Sequence, residues 1–187
     1  DLDIVSGSNT HNSSATELGH INLYENDGAS DPTWAKTTID SYIPGYFVEL
    51  ADIDSDGDLD IVSASKNPYG TTTYIDWYEN DGAATWTPAF TAADINISAN
   101  VARDLHIADM DRDGDLDIVS ASSGDNTIAW YENDGAANPS WTASDISYTA
   151  LGPRGIFLAD IDSDGDLDII SASSGDNTIA WYENDGA

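Results

Sequence analysis

Apolar and polar residues alternate along this chain in short runs of about five residues, and no helical period reaches ten residues. The runs are rich in β-branched and aromatic side chains and are bounded by Gly, Asn, Asp and Pro, the pattern of strands and tight turns. Tyr46 to Ala51, Asp104 to Ala108 and Gly155 to Ala159 form a first type of run. Leu59 to Ser63, Leu116 to Ser120 and Leu167 to Ser171 form a second. Ile21 to Tyr24, Tyr74 to Tyr78, Thr127 to Tyr131 and Thr178 to Tyr182 form a third. A fourth starts at Trp: Trp34 to Ile39, Trp86 to Thr91 and Trp141 to Ile146.

Two anchors fix the period. The nonamer Asp52 to Asp60 recurs at Asp109 to Asp117 and Asp160 to Asp168, and Asp1-Leu2-Asp3 matches its last three positions. Tyr-Glu-Asn-Asp-Gly-Ala stands at Tyr24, Tyr78, Tyr131 and Tyr182, and matching positions lie 51 to 57 residues apart. Asp117 to Ala136 and Asp168 to Ala187 differ only at Val119 against Ile170. About fifty residues and four short strands per repeat predict an all-β chain, a β-propeller of four-stranded antiparallel blades. The blades span 1–40 (lacking strand one), 43–97, 100–149 and 153–187 (lacking strand four), about three and a half in all. A propeller must close to cover its sheet faces. The expected partners are therefore the remaining blades of a longer parent chain or a second copy, within a seven-bladed ring.

Charge changes the picture. The chain carries 35 acidic and five basic residues, a formal net charge of −30, and no Cys. Such a field repels nucleic acid and anionic lipid. It favours cations or a screening salty medium. With no Cys there is no disulfide framework, thiolate zinc or Cys nucleophile. No stretch approaches 18 apolar residues, so no membrane span is expected, and no signal peptide is visible.

The nonamer is where chemistry concentrates. Asp at positions one, three, five and nine places carboxylates around one turn, Gly at position six permits the bend, and the position-seven carbonyl can face inward. Hard oxygens in a flexible cage suit Ca²⁺. The predicted ligands are Asp52, Asp54, Asp56 and Asp60; Asp109, Asp111, Asp113 and Asp117; and Asp160, Asp162, Asp164 and Asp168. Asp58, Asp115 and Asp166 are expected to contribute carbonyl oxygens, and Asp1 and Asp3 form a partial fourth site. An EF-hand needs Glu at position twelve and a following helix. Here position twelve is Ser63, Ser120 or Ser171, and strand follows. About three Ca²⁺ sites, of a structural kind, are expected.

Asp-x-Asp-x-Asp-Gly-Asp-Leu-Asp followed by Ile-Val-Ser resembles the FG-GAP and VCBS repeats of integrin α-subunit propellers and bacterial surface proteins. The Trp-Tyr-Glu-Asn-Asp-Gly segment strengthens the VCBS likeness. The literal Phe-Gly and Gly-Ala-Pro signatures are absent. The resemblance implies a secreted or surface-displayed module, in adhesion, glycan binding or appendage assembly. Seven-bladed lectins of similar repeat type imply sugar pockets between blades.

The expected ligand is glycan or protein, met by the face opposite the calcium loops. There the connections differ: Asn9 to Gly19 and Lys66 to Thr73 are long, whereas Ser123 to Asn126 is tight. Trp34, Trp86 and Trp141 are candidates for stacking on a ligand. Trp77, Trp130 and Trp181 read as inter-blade core. Glu49, His106 and Phe157 hold equivalent places on strand one, which lines a propeller's channel. Asn12 and Asn96 begin glycosylation sequons. No catalytic constellation is visible, so the chain reads as a binding module rather than an enzyme. A purely structural block of a surface appendage is the alternative, and a propeller enzyme on polysaccharide a third reading.

Overall fold

The computed structural model describes residues 2–8, 19–41, 45–66, 73–80, 82, 93–96 and 99–186. They form four antiparallel sheets. The first orders β1 (Ile4–Gly7), β2 (Ile21–Asn26) and β3 (Trp34–Asp40). The second orders β4 (Gly45–Ala51), β5 (Asp60–Lys66), β6 (Thr73–Tyr78) and β7 (Ala93–Asn96). The third runs from β8 (Ala102–Ala108) through β9 (Asp117–Ser122) and β10 (Thr127–Asn133) to β11 (Trp141–Ser147). The last holds β12 (Pro153–Ala159), β13 (Asp168–Ser173) and β14 (Thr178–Tyr182). Each sheet is a meander in chain order, so every connection inside a blade is a hairpin.

The repeat pattern and the ladders agree closely. The strand that follows the acidic loop opens on its ninth residue, because Asp60, Asp117 and Asp168 pair with Ala51, Ala108 and Ala159. The expected strand Trp86 to Thr91 lies outside the described residues, and the strand that pairs with β6 is Ala93–Asn96. One feature was not legible. The first strands carry the same bulge, at Gly45/Phe47, Ala102/Asp104 and Pro153/Gly155. The residue skipped in the last two is Arg, and Arg103 Nε and Arg154 Nε donate to Ser123 Oγ and Ser174 Oγ at 3.2 and 2.8 Å.

The core lies between sheets. Val62, Ala64, Ile75 and Trp77 of the second blade pack on Ala102, Leu105, Ile118 and Tyr131 of the third. Met110, Val119, Ala121 and Ile128 of the third meet Ile156 and Ile169 of the fourth. Ile21, Leu23 and Ile39 of the first meet Ile61 and Tyr78 of the second. A strand covered by blades on both faces does not alternate polar and apolar. β9 is buried at every position, which explains its small residues Ser120, Ala121 and Ser122 between the larger Ile118 and Val119 and the turn. The last blade has a neighbour on one face only, and there Ile179 is 73% exposed.

Candidate metal centre

Each acidic loop is a hairpin between the first and second strands of its blade. Within each loop the carboxylates of positions one, three and five converge. Asp52, Asp54 and Asp56 offer oxygens within 4.8 Å of one another, as do Asp109, Asp111 and Asp113, and Asp160, Asp162 and Asp164. The backbone builds this. Position four is left-handed at Ser55, Arg112 and Ser163, with φ of 60°, 65° and 67°. Position six is left-handed at Gly57, Gly114 and Gly165, with φ near 100° in each. Position one then accepts from the amide of position six: Gly57 N to Asp52 Oδ2, Gly114 N to Asp109 Oδ2 and Gly165 N to Asp160 Oδ2, all at 3.1 Å. Position five accepts from position seven, with Asp58, Asp115 and Asp166 amides each 2.9 Å from the preceding carboxylate.

The position-nine carboxylates also hold two backbone amides each. Asp60 Oδ2 accepts from Ile53 N at 3.1 Å and its Oδ1 from Asn80 N at 2.7 Å. Asp117 does the same with Met110 N and Asn133 N, and Asp168 with Ile161 N and Asn184 N. Both oxygens of each thus accept from backbone amides, one before and one after in the chain. Asp3 follows suit, accepting from Asn26 N at 2.9 Å, while Asp1 lies outside the described residues. Position nine ties the acidic loop to the Asn-Asp-Gly loop. The position-seven side chains face that same loop: a Cβ on Gly82, Gly135 or Gly186 would run into the carboxylates of Asp58, Asp115 or Asp166. This close approach, with φ near 65°, is why the turn ends in Gly.

Burial sets the carboxylates apart. Desolvation raises Asp54 first, and the neighbouring Asp56 charge adds to it. Desolvation also raises Asp60 and Asp117, against their backbone hydrogen bonds. Asp168 has the same partners but is lowered, chiefly by the Asn184 amide. It has no accessible surface.

An ion fits these groups. Ca²⁺ takes oxygen ligands at about 2.3–2.6 Å, so ligands on opposite sides of one ion stand roughly 5 Å apart. Oxygens within 4.8 Å of one another meet that limit. Asp109 Oδ1 is buried with no hydrogen-bond partner, an acceptor that a cation would satisfy.

The Asn of the Asn-Asp-Gly loop has a structural role that sequence spacing does not reveal. Its side-chain oxygen accepts from the Gly amide two residues on, at 3.0 Å for Asn133 and 3.2 Å for Asn184. Its Nδ2 donates to the position-eight carbonyl of its own blade, Leu116 O or Leu167 O. The same Nδ2 crosses to the preceding blade's acidic loop: Asn133 to Ile53 O at 3.2 Å, Asn184 to Met110 O at 3.0 Å. Arg112 adds a second crossing, its Nη2 lying 2.9 Å from Asp166 Oδ1.

The aromatic candidates divide by neighbour. Trp77 is 2% exposed and belongs to the core, Trp130 is half-buried, and Trp181 is 48% exposed. Trp34 is exposed, Trp141 packs against the cluster around Trp77, and Trp86 lies outside the described residues. A cavity of about 170 Å³ between the third and fourth blades is lined by Met110, Trp130, Ile146, Ile169, Tyr182 and Asn184. Their counterparts one repeat earlier are Ile53, Trp77, Ile95, Ile118, Tyr131 and Asn133, around which Trp141 packs. Trp141 stands opposite Asn133 in the β10–β11 ladder. The cavity thus lies one repeat on from the place where Trp141 packs.

On the first strands, His106 bridges three blades. Its Nδ1 is 3.7 Å from Glu49 Oε1 and its Nε2 lies 3.0 Å from Ile156 O. Phe47 and Phe157 meet its ring edge-on at 6.2 and 6.5 Å. Burial raises Glu49, and its Oε2 has no partner.

Repeated four-stranded antiparallel blades, stacked face to face with a triad of carboxylates in a hairpin loop, define a propeller-type repeat protein. A family model for the FG-GAP-like repeat matches residues 52–120 and 109–171. The chain belongs to the FG-GAP-like repeat family. Neither the curated proteins nor the solved structures give a match.

Proposed function

We propose that this chain is a calcium-stabilised extracellular binding module of the adhesion type, taking a glycan or protein ligand on the face opposite the acidic loops. The observation that carries the calcium part is the recurrence of one convergent carboxylate triad in three successive blades. Each ion would be held by positions one, three and five and would neutralise charge that otherwise destabilises the hairpin. Three divalent ions would bring the net charge from −30 to about −24.

The ligand face is inferred from contrast. The acidic loops are near copies, whereas the opposite connections vary, and variable loops on a rigid scaffold set specificity. In the third and fourth blades those connections are pinned: Gly124 N donates to Asn100 O and Gly175 N to Leu151 O, each at 2.8 Å. The longer ones, 9–18 and 67–72, lie outside the described residues. No catalytic role is part of this reading.

A glycan array probed with the folded chain, in calcium and in chelator, tests the lectin form. Binding that disappears on chelation is the expected result. Absence of binding by chain that is folded and calcium-loaded would count against it. No helix among the described residues is long and apolar enough to cross a membrane.

A further inference from the structure

Three blades meet at one imidazole, and the atoms that flank its two nitrogens are both acceptors. His106 Nε2 lies 3.0 Å from Ile156 O of the fourth blade. Its Nδ1 faces Glu49 Oε1 of the second blade at 3.7 Å. A carbonyl oxygen cannot donate, so Nε2 must carry a hydrogen there. A neutral imidazole has one N–H. Once Nε2 holds it, Nδ1 is a lone pair aimed at a carboxylate. The junction is satisfied only when one more proton stands between Nδ1 and Glu49. Either Glu49 is a carboxylic acid facing the lone pair, or an imidazolium faces the carboxylate. We propose that Glu49 and His106 share this proton as a pH-sensitive latch, which holds the second, third and fourth blades together when bound and loosens the second from the third when lost to solvent.

The ring is fixed from the fourth blade's side. Two residues before His106, Asp104 Oδ2 accepts from Ile156 N at 2.9 Å. Side chains of β8 therefore hold both backbone groups of Ile156, and Nδ1 is left directed at the second blade. Phe47 and Phe157 stand against the ring at 6.2 and 6.5 Å, and apolar flanks strengthen the interaction between the two polar groups. Glu49 Oε2 is buried with no hydrogen-bond partner, a costly state for a full carboxylate. Burial raises Glu49, His106 opposes the rise, and the charge of Asp104 adds to it. The other charged groups on the packed strands are engaged elsewhere. Arg103 and Arg154 donate to Ser123 and Ser174, and Asp60 and Asp117 hold backbone amides at their strand ends. The position changes along the repeat from Glu49 to His106 to Phe157, so among these blades the pair arises only between the second and third.

Ring ¹⁵N spectra of the intact chain, at about pH 5 and about pH 8, read the proton directly. Nε2 protonated at both values and Nδ1 bare at the higher one are expected. A proton on Nδ1 at the higher pH overturns the proposal. Urea denaturation reads the latch. The amide of Glu49→Gln donates to Nδ1 without needing a bound proton. This variant should therefore gain on the unaltered chain at the higher pH, by about threefold to tenfold in the folding equilibrium, the worth of one hydrogen bond. At the lower pH the gain should vanish, and in the His106→Gln background it should be absent at both. The other carboxylates and histidines cancel in these differences, and circular dichroism checks that each variant keeps its strands. Both side chains are 30% exposed, so the substitutions leave the buried core intact. A difference that is the same at both pH values, or that survives in the His106→Gln background, overturns the proposal.

Discussion

Asn133 shows how much one side chain does here. It is buried, caps a Gly amide, and joins two blades through carbonyls that lie 17 and 80 residues away. Removing it strands two acceptors, so Asn133→Ala should cost about 1–3 kcal/mol in urea denaturation. Asn26→Ala, whose bond is exposed and within one blade, should cost less than about 1 kcal/mol. Glu49 gives a pH signature. Burial raises its folded pKa, so its neutral form favours folding. Its contribution is fully present below the ordinary value of 4.5 and is lost as pH rises through the higher folded value. Glu49→Gln should therefore flatten part of the fall in stability above pH 4.5, read as the difference between the two proteins' denaturation midpoints across pH. A parallel curve for the variant would show that Glu49 is not desolvated as described.

At the scale of the element, the acidic hairpin crowds like charges, a conflict that a bound cation would relieve. Three carboxylates converge in each loop, and the one basic residue in these loops, Arg112, pairs with Asp166 of the next blade. Replacing Asp109, Asp111 and Asp113 with Asn should raise the melting temperature in chelator and remove that loop's share of the calcium response. Differential scanning fluorimetry with and without calcium checks both signs. Much of this hairpin was legible in the sequence: positions one, three and five are close along the chain, and Gly at position six marks the turn. The role of position nine was not. Asp60 and Asp117 sit at the start of a strand, and the amides they accept from come from seven residues back and from 16 or 20 residues on. Spacing counts them as ligands and says nothing of these amide bonds. The strand bulges escaped for a similar reason, since they are set by pairing across a ladder.

At the scale of the molecule, the repeat dictated the architecture, and the neighbours dictate exposure. One Trp position runs from buried at Trp77 through half-buried at Trp130 to open at Trp181, with hardly a change in local sequence. Such a gradient cannot be read from a repeat, because it depends on which blade follows. The inter-blade bolts and the acidic loops lie on the same side, so ion binding should stiffen junctions as well as hairpins. With affinities on the order of 10⁻⁴ to 10⁻³ M, as in extracellular modules, about 10 mM calcium should add roughly 1.4–2.7 kcal/mol per loop. The most direct measurement is a calcium titration of the intact chain, following bound ion by equilibrium dialysis and stability by thermal melting. Three ions per chain and a melting temperature raised by several degrees, reversed by chelator, are the predicted result. A melt indifferent to calcium, with no ion taken up by the Asp109 to Asp113 loop, would contradict the account.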